Sequence, residues 1–132
     1  MPGATDACIK DLYITEPNGN DPAEVVGKGK PFDIVADIEI GGQVMRHIDA
    51  DKLFASVRNV HRSSATPLPV LTTNRAAARG SSSFRDTLRI KVGPGWTASE
   101  GDLLEAVATY KTESGLDLDY SKATSQQVMV TA

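Results

Sequence analysis

The chain has 132 residues, 40% apolar and 23% charged, with a net charge of −3 at neutral pH. This size and balance predict one globular domain over 1–132, long enough to bury a core unaided. A lone cysteine, Cys8, excludes an internal disulfide framework, two histidines leave little material for a zinc or iron centre, and no apolar run approaches the ~20 residues of a membrane helix.

The first predicted strand covers 9–15 and ends in Glu16-Pro17-Asn18-Gly19-Asn20-Asp21-Pro22, a run dense in turn formers. Val25 and Val26 make a short extended stretch, and a Gly-Lys-Gly-Lys-Pro connector leads into 32–40. That segment carries the strongest pattern in the chain. Phe32, Ile34, Ala36, Ile38 and Ile40 alternate with Asp33, Val35, Asp37 and Glu39. A period of two predicts an antiparallel strand with one face in a core and a mostly acidic face in water. Gly41-Gly42 then predicts a tight hairpin turn, with a return strand over 43–48.

Residues 52–61 are predicted extended, with Leu53, Ala55 and Val57 on one parity. Thr66-Pro67-Leu68-Pro69 breaks the chain, and 70–72 are expected to pair only briefly. Residues 73–83 read as a mobile loop with one helical turn across the alanines. The next strand, 84–92, is strong: Phe84, Leu88, Ile90 and Val92 share one parity, and Arg85, Thr87, Arg89 and Lys91 share the other. Gly93-Pro94-Gly95 ends it, and strands over 103–111, 116–120 and 126–131 complete the chain.

These elements predict an all-β fold, an antiparallel two-sheet β-sandwich of about seven to eight strands, with a closed barrel as the alternative. The layout resembles immunoglobulin-like sandwiches in general architecture. It lacks their specific marks: there is no cysteine pair, Trp96 falls in a glycine-rich turn, and Leu104 stands near the place of the tyrosine corner. The resemblance is to an architecture and not to a family.

Charge is segregated along the chain. Residues 58–91 hold Arg58, Arg62, Arg75, Arg79, Arg85, Arg89 and Lys91 against Asp86 alone, a surplus of six, and the remainder has seven basic and sixteen acidic residues, a deficit of nine. Arg85, Arg89 and Lys91 share the outward parity of one predicted strand, and Arg75 and Arg79 lie on the loop before it. Such a patch suits phosphates or carboxylates. Nucleic acid is disfavoured, because the block carries no outward aromatic for base stacking. A protein partner, including a second copy of the chain, fits better, with Asp33, Asp37 and Glu39 as the complementary face.

Other constellations are weaker. His47, Asp49 and Asp51 step about 6.6 Å apart on a straight strand, too far for one ion. Asp117 and Asp119 raise the question of calcium, and equally suit the water-facing side of an edge strand. The serine runs lack a nucleophile elbow, no acid–base pair stands out, and Cys8 reads as a small packing residue. Trp96 offers a surface for stacking a sugar ring, or folds back to cap the core.

The expectation is therefore a non-enzymatic binding or assembly module without cofactor or metal. It docks a protein partner or copies of itself through Arg75, Arg79, Arg85, Arg89 and Lys91 against Asp33, Asp37 and Glu39. The alternatives are a small-ligand or carbohydrate-binding sandwich centred on Trp96, and polyanion binding through the basic block. Charge reversal at Arg85 and Arg89 is expected to weaken association with little change in thermal midpoint. No membrane contact is expected. The lone thiol and a beginning without an apolar leader pattern predict a cytoplasmic location, though an exported mature form would look alike.

Overall fold

The computed structural model describes residues 7–114 and 117–132, with backbone alone at 117–119. Its strands are β1 (Ala7–Thr15), β2 (Val25–Gly27), β3 (Phe32–Ile40), β4 (Ala50–Asn59), β5 (Ser64–Pro67), β6 (Leu71–Asn74), β7 (Phe84–Val92), β8 (Leu103–Ser114), β9 (Asp117–Thr124) and β10 (Val128–Thr131). A short helix, α1 (Gly42–Met45), and one 3-10 turn, Ala76–Ala78, are the helical elements among the described residues. The 3-10 turn falls on the predicted alanines.

The alternating segment becomes the centre of a three-stranded sheet, ordered β1-β3-β7. Its apolar parity (Phe32, Ile34, Ala36, Ile38, Ile40) is buried against the second sheet, as the period of two requires. That second sheet has seven strands, β2-β10-β8-β4-β5, with β6 also on β4 and β9 also on β8. Inward residues of both sheets, among them Leu53, Tyr110, Val128 and Val130, form one apolar core with β3. The two sheets approach again at one edge, where the Ile9 N–H donates to Ser121 Oγ at 3.1 Å. Among the described residues no helix is long and apolar enough to cross a membrane.

Several expectations change. The acidic parity of β3 is mostly covered and not open to water: Asp33 is 2% exposed, Glu39 7% and Val35 fully buried, with Asp37 half-buried. As the central strand, β3 has a neighbour on both sides, and Val35 sits in register between Tyr13 and Arg89, whose long side chains flank it.

The hairpin after β3 is also absent. Both edges of β3 are already taken, so a return strand has nowhere to pair. Instead Met45 and Ile48, three residues apart, turn into the core through α1, and the chain crosses to the other sheet. Gly42 is needed for close approach and not for a turn: a Cβ there would lie 2.6 Å from the Ser81 carbonyl oxygen.

The described strands number ten, not seven to eight, and they are not all antiparallel, because β2 runs parallel to β10. β5 was unforeseen. All four of its residues are exposed, so no apolar alternation marks it, and Pro67 takes the strand end where a proline is tolerated at an edge. The last hairpin is longer than predicted, with β8 and β9 paired from Val107–Thr124 to Ser114–Asp117. The predicted start at Leu116 lies outside the described residues.

Candidate functional site

The basic block is the first place to look, and the fold disperses it. Antiparallel register sets the basic parity of β7 beside the acidic parity of β3, pairing Asp33 with Lys91 and Glu39 with Arg85. Arg89 Nη1 donates to Asp33 Oδ2 at 2.7 Å and its Nη2 to the Gly19 carbonyl at 2.7 Å. Lys91 Nζ lies 3.4 Å from the same carboxylate and donates to Asn18 Oδ1 at 2.7 Å. Arg85 Nε donates to Glu39 Oε1 at 2.9 Å, and Asp37 accepts from the Thr87 hydroxyl at 3.0 Å. Beyond this sheet, Arg58 pairs with Glu105, Arg62 with Asp102 and Arg79 with Asp49. With Arg75 on Asp51 and Asp86, every basic residue of the block has a carboxylate partner inside the chain. The two faces expected to meet between molecules meet within one sheet.

This changes what mutation at the two arginines does. Arg89 fastens a buried carboxylate, so Arg89→Ala is expected to destabilise the chain by about 1–3 kcal/mol. Arg85, with its side chain 68% exposed, is expected to leave the midpoint where it was when cut to alanine. Equal urea midpoints for the two variants would refute the distinction.

Arg75, expected on a docking loop, is interior. Its Nε donates to Asp51 Oδ2 at 3.1 Å, its Nη1 reaches Asp86 at 2.8 Å, and its guanidinium lies 5.2 Å from the Phe84 ring centre. The Tyr110 hydroxyl donates to the same Asp51 oxygen. Burial, then the Asp51 carboxylate, push the Tyr110 phenol well above its ordinary value. The cluster clamps the connection before β7 onto β4 and β8. A signal for it was in the sequence: Asp51 shares the apolar parity of Leu53 and Ala55, and Tyr110 that of Ala106 and Ala108. Of the other nominated groups, Asp49 holds Arg79, and no three metal-ligating side chains gather among the described residues. The side chains of Asp117 and Asp119 lie outside the described residues.

Trp96 stands at the opposite end of the core, where it caps the apolar interior and borders a cleft. Gly95 adopts φ +93°, a conformation that favours glycine, and its N–H donates to the Gly29 carbonyl at 2.9 Å. The Trp96 indole N–H donates to the Lys30 carbonyl at 2.7 Å, and its ring meets Phe32 edge-on, 5.6 Å between centres at 84°. One side of the ring thus caps the core. The other borders a cleft of about 250 Å³ between the ends of the two sheets. Val92, Phe32 and Leu104 lie on its inner side, and Val57, Leu68, Ser64 and Thr66 form the wall from β4, β5 and the residue after it.

The turn beside this wall is held by ionic contacts. Asn59 Nδ2 donates to Asp102 Oδ2 at 2.9 Å, and Asn59 Oδ1 accepts from the His61 and Arg62 N–H groups. The Asn59 amide first, then the Ser99 N–H and Arg62, hold the Asp102 carboxyl below its ordinary 3.8. At Asp33 burial raises the carboxyl, but the Asn18 N–H, Arg89 and Lys91 outweigh it and the net shift is also downward. Depressed carboxyls contribute stability that is complete above the unfolded value and lost as pH falls through the folded one. Stability is therefore expected to drop below about pH 4. Asp102→Asn should flatten part of that acid limb in urea titrations, and parallel acid limbs for parent and variant would remove Asp102 as a contributor.

No family model and no curated protein matches the chain. Among solved structures it is similar to the C-terminal domain of Wzt, with a TM-score of 0.59 and 11% identity over 96% of this chain and 74% of that one. It also aligns with Pseudomonas fluorescens alkylpurine DNA glycosylase AlkC bound to DNA containing an abasic site analog, with a TM-score of 0.45 and 10% identity over 97% of this chain and 31% of that one, a likeness too slight to build on. The chain has a Wzt C-terminal domain-like fold, mostly β in two sheets. At that identity the likeness speaks to fold alone.

Proposed function

We propose that this domain is a non-enzymatic binding module that holds a small carbohydrate unit in the Trp96 cleft. We read its two facing sheets as a β-sandwich, immunoglobulin-like in general architecture. The observation that carries the reading is the mixture of groups around the cleft: an indole ring held by Phe32 and Lys30, and the hydroxyls of Ser64, Thr66 and Thr97. A sugar presents C–H faces that pack on an aromatic ring and hydroxyls that exchange hydrogen bonds with serine and threonine.

The volume sits just below the ~300–1,000 Å³ usual for ligand pockets, which suits one ring and not a long oligomer. Among the described residues no carboxylate, imidazole or amine lines the cleft, which favours a binder over an enzyme that works by general acid–base chemistry. Assembly through the charged faces is the weaker reading, because those charges are satisfied within the chain.

Trp96 is the sole tryptophan, so any change in tryptophan emission reports on this cleft. Titration with a broad glycan panel should give a saturable emission change with a subset of sugars, and Trp96→Ala should abolish the matching heat of binding by calorimetry. A panel in which no glycan changes emission or releases heat would end the proposal.

A further inference from the structure

Burial inside the cleft runs from apolar at the bottom to hydroxylated at the mouth. Phe32 and Leu104 are buried, and Val57, Leu68 and Val92 are half-buried, whereas Ser64, Thr66 and Thr97 are exposed. Asn59, the remaining polar side chain among the described lining residues, is largely engaged: Nδ2 donates one hydrogen to Asp102 and Oδ1 accepts from two backbone N–H groups, which leaves one amide hydrogen. Among the described residues, side-chain hydrogen-bonding groups are therefore concentrated at the mouth and sparse at the bottom, with no acceptor to spare there. A ligand hydroxyl carried inward would lose its water and find at most one side-chain donor and no acceptor, whereas a methyl group would lose only water. A carboxylate would fare worse, with no cation among the described lining residues to meet it.

We infer that the cleft selects an uncharged sugar that places a methyl group inward, a deoxyhexose in preference to the matching hexose or uronic acid. This rests on the reading of the cleft as a sugar site. Three matched sets test it, each varying only the exocyclic carbon: fucose, galactose and galacturonate; rhamnose, mannose and mannuronate; quinovose, glucose and glucuronate. In the set whose ring fits, Trp96 emission should report the deoxyhexose as bound roughly 10- to 100-fold tighter than the hexose. The uronate should be weakest, and Leu68→Ser should narrow the gap by giving the inner wall a hydroxyl. A hexose or uronate that binds as tightly as its deoxy partner overturns the inference and leaves the sugar site standing. Silence from all nine sugars alongside binding of another glycan does the same. Silence from every glycan overturns both.

Discussion

Asp51→Ala is expected to lower the unfolding free energy by about 3–5 kcal/mol. Asp51 is fully buried, and its Oδ2 accepts from both Arg75 Nε and the Tyr110 hydroxyl. Removing it leaves a guanidinium with a 6% exposed side chain partnered only by Asp86, at the edge of the cluster. It also strands a buried phenol. The cost is that of uncompensated polar groups and not the net worth of the pair, and this has a testable consequence. Asp51→Leu, Arg75→Met and Tyr110→Phe together remove every orphan at similar volume and should recover most of the loss. Urea midpoints at constant slope measure both variants. A triple variant as weak as the single one would mean the cluster stabilises the fold by more than mutual satisfaction.

Phe32→Ala is the second large effect, about 3–5 kcal/mol for a core aromatic that is 2% exposed. Phe32 begins the central strand opposite Val92, and its ring is also the surface on which Trp96 stands edge-on. Its loss should therefore act twice, on stability and on the cleft. Tryptophan emission should shift to the red in the folded variant, and sugar-dependent heat should vanish with it. Phe32→Leu fills more of the space and should lose less stability while still freeing the indole edge. Unchanged emission in both variants would mean that the Lys30 hydrogen bond and the Gly95 turn alone position Trp96.

Legibility followed the physics of each element. β3 and β7 were readable because strict alternation is a local property and both strands bury one apolar parity. β5 was not, since an edge strand exposed at every residue satisfies half its backbone through a neighbour distant in sequence and needs no pattern of its own. α1 was hidden for a related reason. Glycine pairs suit a hairpin, and only the occupancy of both β3 edges turns the chain away from one.

The site divides the same way. Trp96 stood out by composition and its capping position at the core was foreseen, but the wall of the cleft beside it comes from β4 and β5, far from it in sequence. The basic and acidic parities of β7 and β3 were legible and were read as complementary, but that they meet within one sheet, and that Arg75 turns inward to Asp51, was not.

By itself, then, the sequence determined a mostly β fold, the parities of its strong strands, the aromatic at the end of the core, and a charge distribution divided along the chain. Those are one-dimensional facts, set by neighbours two residues apart. Tertiary structure decided where the charge went. Register between β3 and β7 laid the basic parity against the acidic one, so Arg85, Arg89 and Lys91 met Glu39 and Asp33 inside one molecule. The reason is range: strand pairing joins residues some fifty positions apart, and Coulomb attraction at 3 Å outweighs any arrangement along the sequence.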